Sequence, residues 1–418
     1  MLLVRGDPGR EDVREGRPAG GGRGRGGALE ALGGAPALLS EGLRRRGTDP
    51  GAERDGREGP AGRSPDLRAA GGAVIRGAPA RCPPPGGGGV RTSSHCFIPP
   101  ARVCYNPGVP QDERAFLDWL IRRRPFRRGR GVLAGIGDDC AVVRGPRGRT
   151  PGLFKIDSVV DGVHFLSKTT RPFWIGWKAL NRSLSDIAAM GGVPRYAVAA
   201  ACVPRGFGLA RMKQVMAGLA AAARRAGVAL VGGDTASTAG PFSVSVAVWG
   251  EAGPGGPVLR SGARPGDWVW VTGALGGSIL GRHLTFTPRL REAREIVRRL
   301  RPTAMMDVSD GLGIDAGRMA KAGGVAIVLE GGAVPVSRAA RALSRRDGRS
   351  PLDHALADGE DYELLFTTRP RRPRDVTGLS LGGVRATVIG RVRRGCGAWI
   401  IDRGRRRRID AAGYEHLL

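Results

Sequence analysis

"PFWIGWKALNRSLSDIAAMGGVPRYAVAAACV" occupies residues 172–203 and contains the change of periodicity on which the fold turns. Its first part opens on Pro172, repeats apolar residues at helical spacing and closes on Gly191 and Gly192, which predicts a helix over 172–192. "YAVAAACV" (196–203) is short and continuously apolar, as a buried strand is. A helix over about 209–226 and strands at 228–233 and 242–250 follow, and "LFKIDSVV" (153–160) is a strand upstream. The stretch "EAGPGGPVLRSGARPGD" (251–267) is rich in Gly and Pro and reads as a domain boundary. Beyond it strands are expected at 268–273, 325–330, 362–368, 386–392 and 398–402, with helices at about 276–283 and 289–299. "MMDVSDGLGIDAGRMAKAGG" (305–324) reads as a short strand, a turn and a helix. Strands alternating with helices argue for an α/β (α+β) protein of two domains, 105–255 and 256–418.

Upstream, "QDERAFLDWLIRRR" (111–124) has helical spacing, whereas Gly and Pro make up about a third of residues 1–104. A segment of that composition cannot bury enough apolar surface to offset its ordering entropy, so it is expected to be disordered. A start assigned too far upstream is the favoured account of it, and a functional tail is the alternative.

The formal net charge is +29, from 67 Lys and Arg against 38 Asp and Glu. The excess is arginine in runs such as "IRRRPFRRGR" (121–130) and "RGRRRR" (403–408), with few aromatics between them. Base-stacking platforms are therefore not indicated, and solvated arginine faces are expected rather than a nucleic-acid surface. The six cysteines include no C-x-x-C pair, and no apolar run is long enough to span a membrane. The chain reads as cytoplasmic.

Aspartates recur where apolar segments meet glycine. They are Asp138 and Asp139 in "GIGDDCAVV" (135–143), Asp157, Asp186, Asp234 in "LVGGDT" (230–235), Asp307 and Asp310. Each alone has an ordinary explanation as a turn or cap residue. If the strand ends converge, several carboxylates share one site and repel one another. Few basic residues lie beside them in sequence. Mg²⁺, which takes carboxylates together with substrate phosphates, would resolve the repulsion, so a metal–nucleotide site is expected. The chain has no Walker loop, no protein-kinase motif set and no G-x-S-x-G. Phosphoryl transfer here would rest on charge neutralisation and positioning.

"GIGDDCAVV", "DSVVDGVHF" (157–165), "KALNRSLSDIAAMGG" (178–192), "LVGGDT", "RSGARPGDWVWVTG" (260–273), "MMDVSDGL" (305–312) and "ADGEDYELLFT" (357–367) occur in an order that resembles the thiamine-monophosphate kinases. These belong to the superfamily that includes aminoimidazole ribonucleotide synthetase. The resemblance covers about residues 111–418. It implies ATP-dependent phosphorylation of thiamine monophosphate to thiamine diphosphate with Mg²⁺, by direct transfer without a phosphoenzyme. It also implies a homodimer whose N-terminal domains pair into a β-barrel, each flanked by an α/β C-terminal domain.

Carried over by motif, the metal ligands would be Asp139, Asp157, Asp186, Asp234, Asp307 and Asp310. ATP contacts would include Gly233, Asp234, Arg260 and Ser309. Thiamine monophosphate would meet His164, Glu360 and Tyr414. Asp138 is left to shape the turn or to support its neighbour. The family often has hydroxyl residues where this chain has Lys155 and Ile156; Lys155 is read as lying on the strand's outer face, the alternative being a cation offered to phosphate. A sister enzyme of the superfamily acting with ATP on another small molecule is the alternative function, and a basic nucleic-acid binder is a distant third that leaves the aspartates without an account.

Overall fold

The structure, a computed structural model, describes Leu120 and residues 129–145, 149–370 and 379–414. The tail 1–104 and, apart from Leu120, the helix expected at 111–124 lie outside the described residues. Strands β1 (Val132–Ala134), β2 (Ala141–Val143) and β3 (Gly152–Val160) are followed by helix α1 (Pro172–Ala189) and β4 (Val193–Pro204). Then come α2 (Leu209–Ala226), β5 (Ala229–Thr238) and β6 (Ser243–Glu251). These six strands form one sheet in the order β1-β2-β3-β6-β4-β5, in which only β4 and β5 run parallel.

Helices α1 and α2 cover one face of this sheet. Ile175, Leu180, Leu184 and Ile187 of α1 and Val215 and Leu219 of α2 are fully buried against Leu153, Val246 and Val248. The two helices touch backbone to backbone. A Cβ on Gly176 would stand 1.9 Å from the Val215 carbonyl oxygen, and one on Gly218 would stand 1.8 Å from that of Phe173. Side chains alternate along β3, so Leu153, Lys155, Asp157 and Val159 face the helices while Phe154, Ile156 and Ser158 face away. The uncovered face carries Phe154, Ile156, Tyr196 and Val198, each more than 40% exposed.

The remaining strands build a second sheet. In chain order they are β7 (Trp268–Thr272), helices α3 (Arg282–Thr285) and α4 (Leu290–Leu300), β8 (Ala304–Val308), α5 (Leu312–Gly323) and β9 (Ala326–Glu330). Helices α6 (Arg338–Asp347) and α7 (Pro351–Ala357) precede β10 (Glu363–Thr368), β11 (Leu379–Leu381), β12 (Val384–Arg393), β13 (Gly397–Asp402) and β14 (Arg405–Arg408). The order is β14-β13-β9-β12-β7-β10-β8, with β11 paired to β12. Both faces are apolar and covered. Val269, Val271, Ile327 and Leu365 pack with α5 on one side, and Trp270, Phe366 and Met305 pack with Ile296 of α4 on the other. Ala188 and Ala189, at the end of α1, join that second cluster, so α1 bridges the two sheets.

The expected helix at 276–283 is instead a 3₁₀ turn, Ser278–Leu280, and the single turn α3. Gly281 separates them at φ 125°, which no regular helix accommodates. Helices α6 and α7 and the short strands β1, β2, β11 and β14 were not expected from the sequence. The arginine run at 405–408 is β14, exposed along its length, with Arg406 stacked on Trp399. Among the described residues no helix is long and apolar enough to cross a membrane.

Candidate active site

The acidic residues meet where α1 runs between the sheets. The turn before β2 supplies Asp139, the last turn of α1 supplies Asp186, and β8 supplies Asp307. Each has a carboxylate oxygen within 4.8 Å of the others, and all three residues are buried. Ser185 Oγ donates to Asp307 Oδ2 at 2.7 Å, which ties α1 to β8. The Asp139 backbone N–H donates to Asp138 Oδ1 at 3.0 Å, so Asp138 fastens the turn that aims its neighbour.

Two cations already reach this cup. Arg260, from the stretch between the sheets, grips Asp139 with Nε to Oδ2 at 3.1 Å and Nη2 to Oδ1 at 2.5 Å. Lys155 Nζ lies 3.0 Å from Asp186 Oδ1 and 3.3 Å from Asp157 Oδ1. The reading of Lys155 on the outer face is thereby corrected: strand alternation puts it on the helix-covered face with Asp157, and Ile156 alone faces out. The few basic residues beside the aspartates in sequence are supplemented in space by Arg260, 121 residues from Asp139.

The charges remain unevenly met. Burial and the Asp139 charge push Asp307 up to about 6, and burial together with Asp139 pushes Asp138 up to about 6. Burial and the neighbouring carboxylates push Asp186 up despite Lys155. Asp157 is held low against the effect of burial by Lys155 and then Arg182.

Of the other expected ligands, Asp157 joins the group through the shared Lys155, whereas Asp310 and Asp234 are not among the three gathered carboxylates. Asp310 follows β8 but accepts from Arg318 Nη1, and its backbone N–H donates to Asp315 Oδ2 at 3.1 Å. The Ser309 N–H donates to the same oxygen at 3.0 Å. Asp234 is exposed on edge strand β5. Its partner across β4, Ala200, pairs with Ser245, which pairs with Ser158, so three strand spacings, roughly 14 Å, separate Asp234 from β3. Gly233 and Asp234 line a cavity of about 310 Å³ with Met212, Met216 and Leu219 of α2.

A second polar cluster adjoins the first. Lys178 of α1, fully buried, donates to Glu360 Oε1 at 2.6 Å and to the His164 carbonyl at 2.7 Å. His283 Nδ1 stands 3.1 Å from Glu360 Oε2, and Tyr362 Oη donates to Glu360 Oε1 at 3.2 Å. Despite burial, His283 and Lys178 hold the Glu360 carboxyl well below its usual range, and burial lowers Lys178 to about 8. Glu360 has φ 54° and Tyr362 φ 51°, positions side chains rarely adopt and a form of strain that gathers at functional sites. His164 Nδ1 accepts from the Val160 N–H at 3.1 Å. The Tyr414 N–H donates to the Asp310 carbonyl at 2.9 Å, which brings the expected substrate residue to the turn between β8 and α5.

Lys178, Arg182 and Ser185 were not singled out in the sequence. A signal was present: residues 178, 182 and 186 fall at i, i+4 and i+8, a charged stripe along one line of the helix.

A six-stranded sheet backed by two helices, with carboxylates gathered where it meets a second α/β sheet, places the protein in the AIR-synthase-related class. The family model "AIR synthase related protein, N-terminal domain" matches residues 137–252. The thiamine-monophosphate kinase of Rhodopirellula baltica is 37% identical over 313 residues, covering 73% of this chain and 97% of that protein. That of Escherichia coli strain K12 is 34% identical, covering 68% and 92%. The solved structure of AaThiL complexed with AMPPCP and TMP is similar at TM-score 0.62 and 29% identity, covering 73% of this chain and 97% of that one. The chain belongs to the thiamine-monophosphate kinase family.

Proposed function

We propose that the protein transfers the γ-phosphoryl group of ATP to the phosphate of thiamine monophosphate, giving thiamine diphosphate. The observation that carries this reading is the convergence of Asp139, Asp186 and Asp307 from three separate elements to within 4.8 Å. The ligands of the similar solved structure, an ATP analogue and TMP, fit the same reaction.

Hard carboxylate oxygens, crowded and only partly neutralised by Arg260 and Lys155, suit Mg²⁺, which Asp139, Asp186 and Asp307 would hold. Bound there, the metal would supply neutralisation of the phosphate charges during transfer. Arg260 holds the Asp139 carboxylate in place with two hydrogen bonds, and Ser185 orients Asp307. The ionised Glu360, held by Lys178 and His283, offers an anionic acceptor to thiamine's aminopyrimidine and cationic thiazolium, and His164 and Tyr414 are assigned to the same substrate. Arg182 lies between the two clusters: its Nη1 donates to the Ser158 carbonyl at 3.2 Å, and its charge is felt by both Asp157 and Tyr362. That position suits the substrate's phosphate. The cavity beside Gly233 and Asp234 is apolar enough for the nucleotide's base. No residue need act as a nucleophile, since the acceptor phosphate attacks directly in line.

The two sheets are assigned to domains 105–255 and 256–418, and the uncovered face of the first sheet to a homodimer contact. Incubation of folded protein with ATP, Mg²⁺ and thiamine monophosphate should yield thiamine diphosphate; absence of product would overturn the assignment.

A further inference from the structure

Lys155 stands where the family often has a hydroxyl residue. Its position is built rather than incidental. It shares the covered face of β3 with Asp157, two residues on, and its Nζ sits 3.3 Å from Asp157 and 3.0 Å from Asp186. A buried ammonium is unfavourable unless paired, and here two carboxylates pair it. An ammonium is a compact charge with three donors, so it can join two carboxylates as a metal ion would, but it is covalently tethered. Asp138, Asp139, Asp157, Asp186 and Asp307 carry five formal negative charges against the three positive charges of Lys155, Arg182 and Arg260. The remainder equals the charge of one divalent cation, and Asp139, Asp186 and Asp307 are the residues gathered to take it.

We propose that Lys155 is a built-in cation that occupies the place between Asp157 and Asp186, so that this chain takes up one fewer divalent metal ion than it would with a hydroxyl residue there. Lys155 is thus a positioning residue acting through the two carboxylates. The inference rests on the metal-binding reading of the acidic cup, and its test is independent of turnover.

Mn²⁺ bound per chain is counted by electron paramagnetic resonance in the presence of AMPPCP, for the full-length protein and for Lys155→Thr and Lys155→Arg, with thermal melts to confirm folding. Lys155→Thr should bind one Mn²⁺ more than the parent, and Lys155→Arg should bind the parent's number. An unchanged count in folded Lys155→Thr overturns the proposal while leaving the kinase reading intact. No Mn²⁺ on the parent protein, together with no thiamine diphosphate formed, overturns both. Should Lys155→Thr not fold, crystals of the parent soaked with Mn²⁺ and AMPPCP decide by anomalous scattering. A peak bridging Asp157 and Asp186 with Lys155 displaced overturns the proposal. A peak confined to Asp139, Asp186 and Asp307 supports it.

Discussion

Asp139 and Asp307 allow the sharpest tests because each has a distinct local partner. Asp139→Asn keeps the shape that Arg260 grips but removes the charge, so turnover should fall at least about a hundredfold while the circular-dichroism spectrum is unchanged. Near-normal steady-state rates would show that Asp139 holds no metal. Asp307 permits a test by pH. Its carboxyl is raised from 3.8 to about 6 in the folded chain. The folded state therefore binds its proton more tightly than the unfolded state, and this group favours folding below pH 4 and disfavours it above 6. Two units correspond to about 3 kcal/mol. In EDTA at pH 7, Asp307→Asn should melt higher than the parent protein, and the difference should shrink as pH is lowered through 6. Scanning calorimetry across pH 5–7.5 measures this; a constant difference would show that Asp307 is not strained by charge. The aspartates themselves were legible in the sequence because they recur where apolar segments meet glycine. The pairing of Asp139 with Arg260 was not legible, since 121 residues separate them and only the approach of two sheets joins them. The side taken by Lys155 was not legible either: alternation fixes that Lys155 and Asp157 share a face, but which face is covered depends on where α1 and α2 dock.

Helix α1 is the element on which both polar clusters depend. It carries Lys178, Arg182, Ser185 and Asp186, and its end packs against the second sheet. Its placement is set by the crossing with α2, where Gly176 and Gly218 leave no room for a side chain. Gly176→Ala would drive a methyl into the Val215 carbonyl. Such overpacking should destabilise the fold by about 2 kcal/mol or more, read from urea unfolding, and should lower turnover in the molecules that remain folded by shifting Asp186. Unchanged stability would mean the helices separate freely and that α1 is not fixed by this contact. The helix was readable because Pro172, an apolar stripe and terminal glycines agree. Helices α6 and α7 were not, because "RAARALSRRD" has little apolar content; Ser337 and Ser350, whose hydroxyls accept from the N–H groups of Ala340 and Asp353, were the signals to read.

At the scale of the molecule, the first sheet is half-finished as a single chain. One face is packed by two helices; the other presents Phe154 at 49%, Ile156 at 65% and Tyr196 at 50% exposure, a contiguous apolar patch of the kind that marks an interface. These residues lie on β3 and β4, which flank β6 in register, Ile156 opposite Ala247 and Tyr196 opposite Trp249, whose ring stacks on Tyr196 with centroids 5.7 Å apart. A second copy offering the same face would cover both patches symmetrically, as a two-fold contact requires. Ile156→Asp places a charge at the centre of that face without touching the buried side of β3. It should convert a dimer to a monomer in light scattering coupled to size exclusion, with the circular-dichroism spectrum retained. A parent protein that is monomeric at micromolar concentration, or a variant that remains dimeric, would show that this face does not join two copies. The acidic cup is assembled from one chain, on the opposite side of β3. If the dimer forms as argued, the variant should therefore retain Mn²⁺ binding by its aspartates even where its turnover falls.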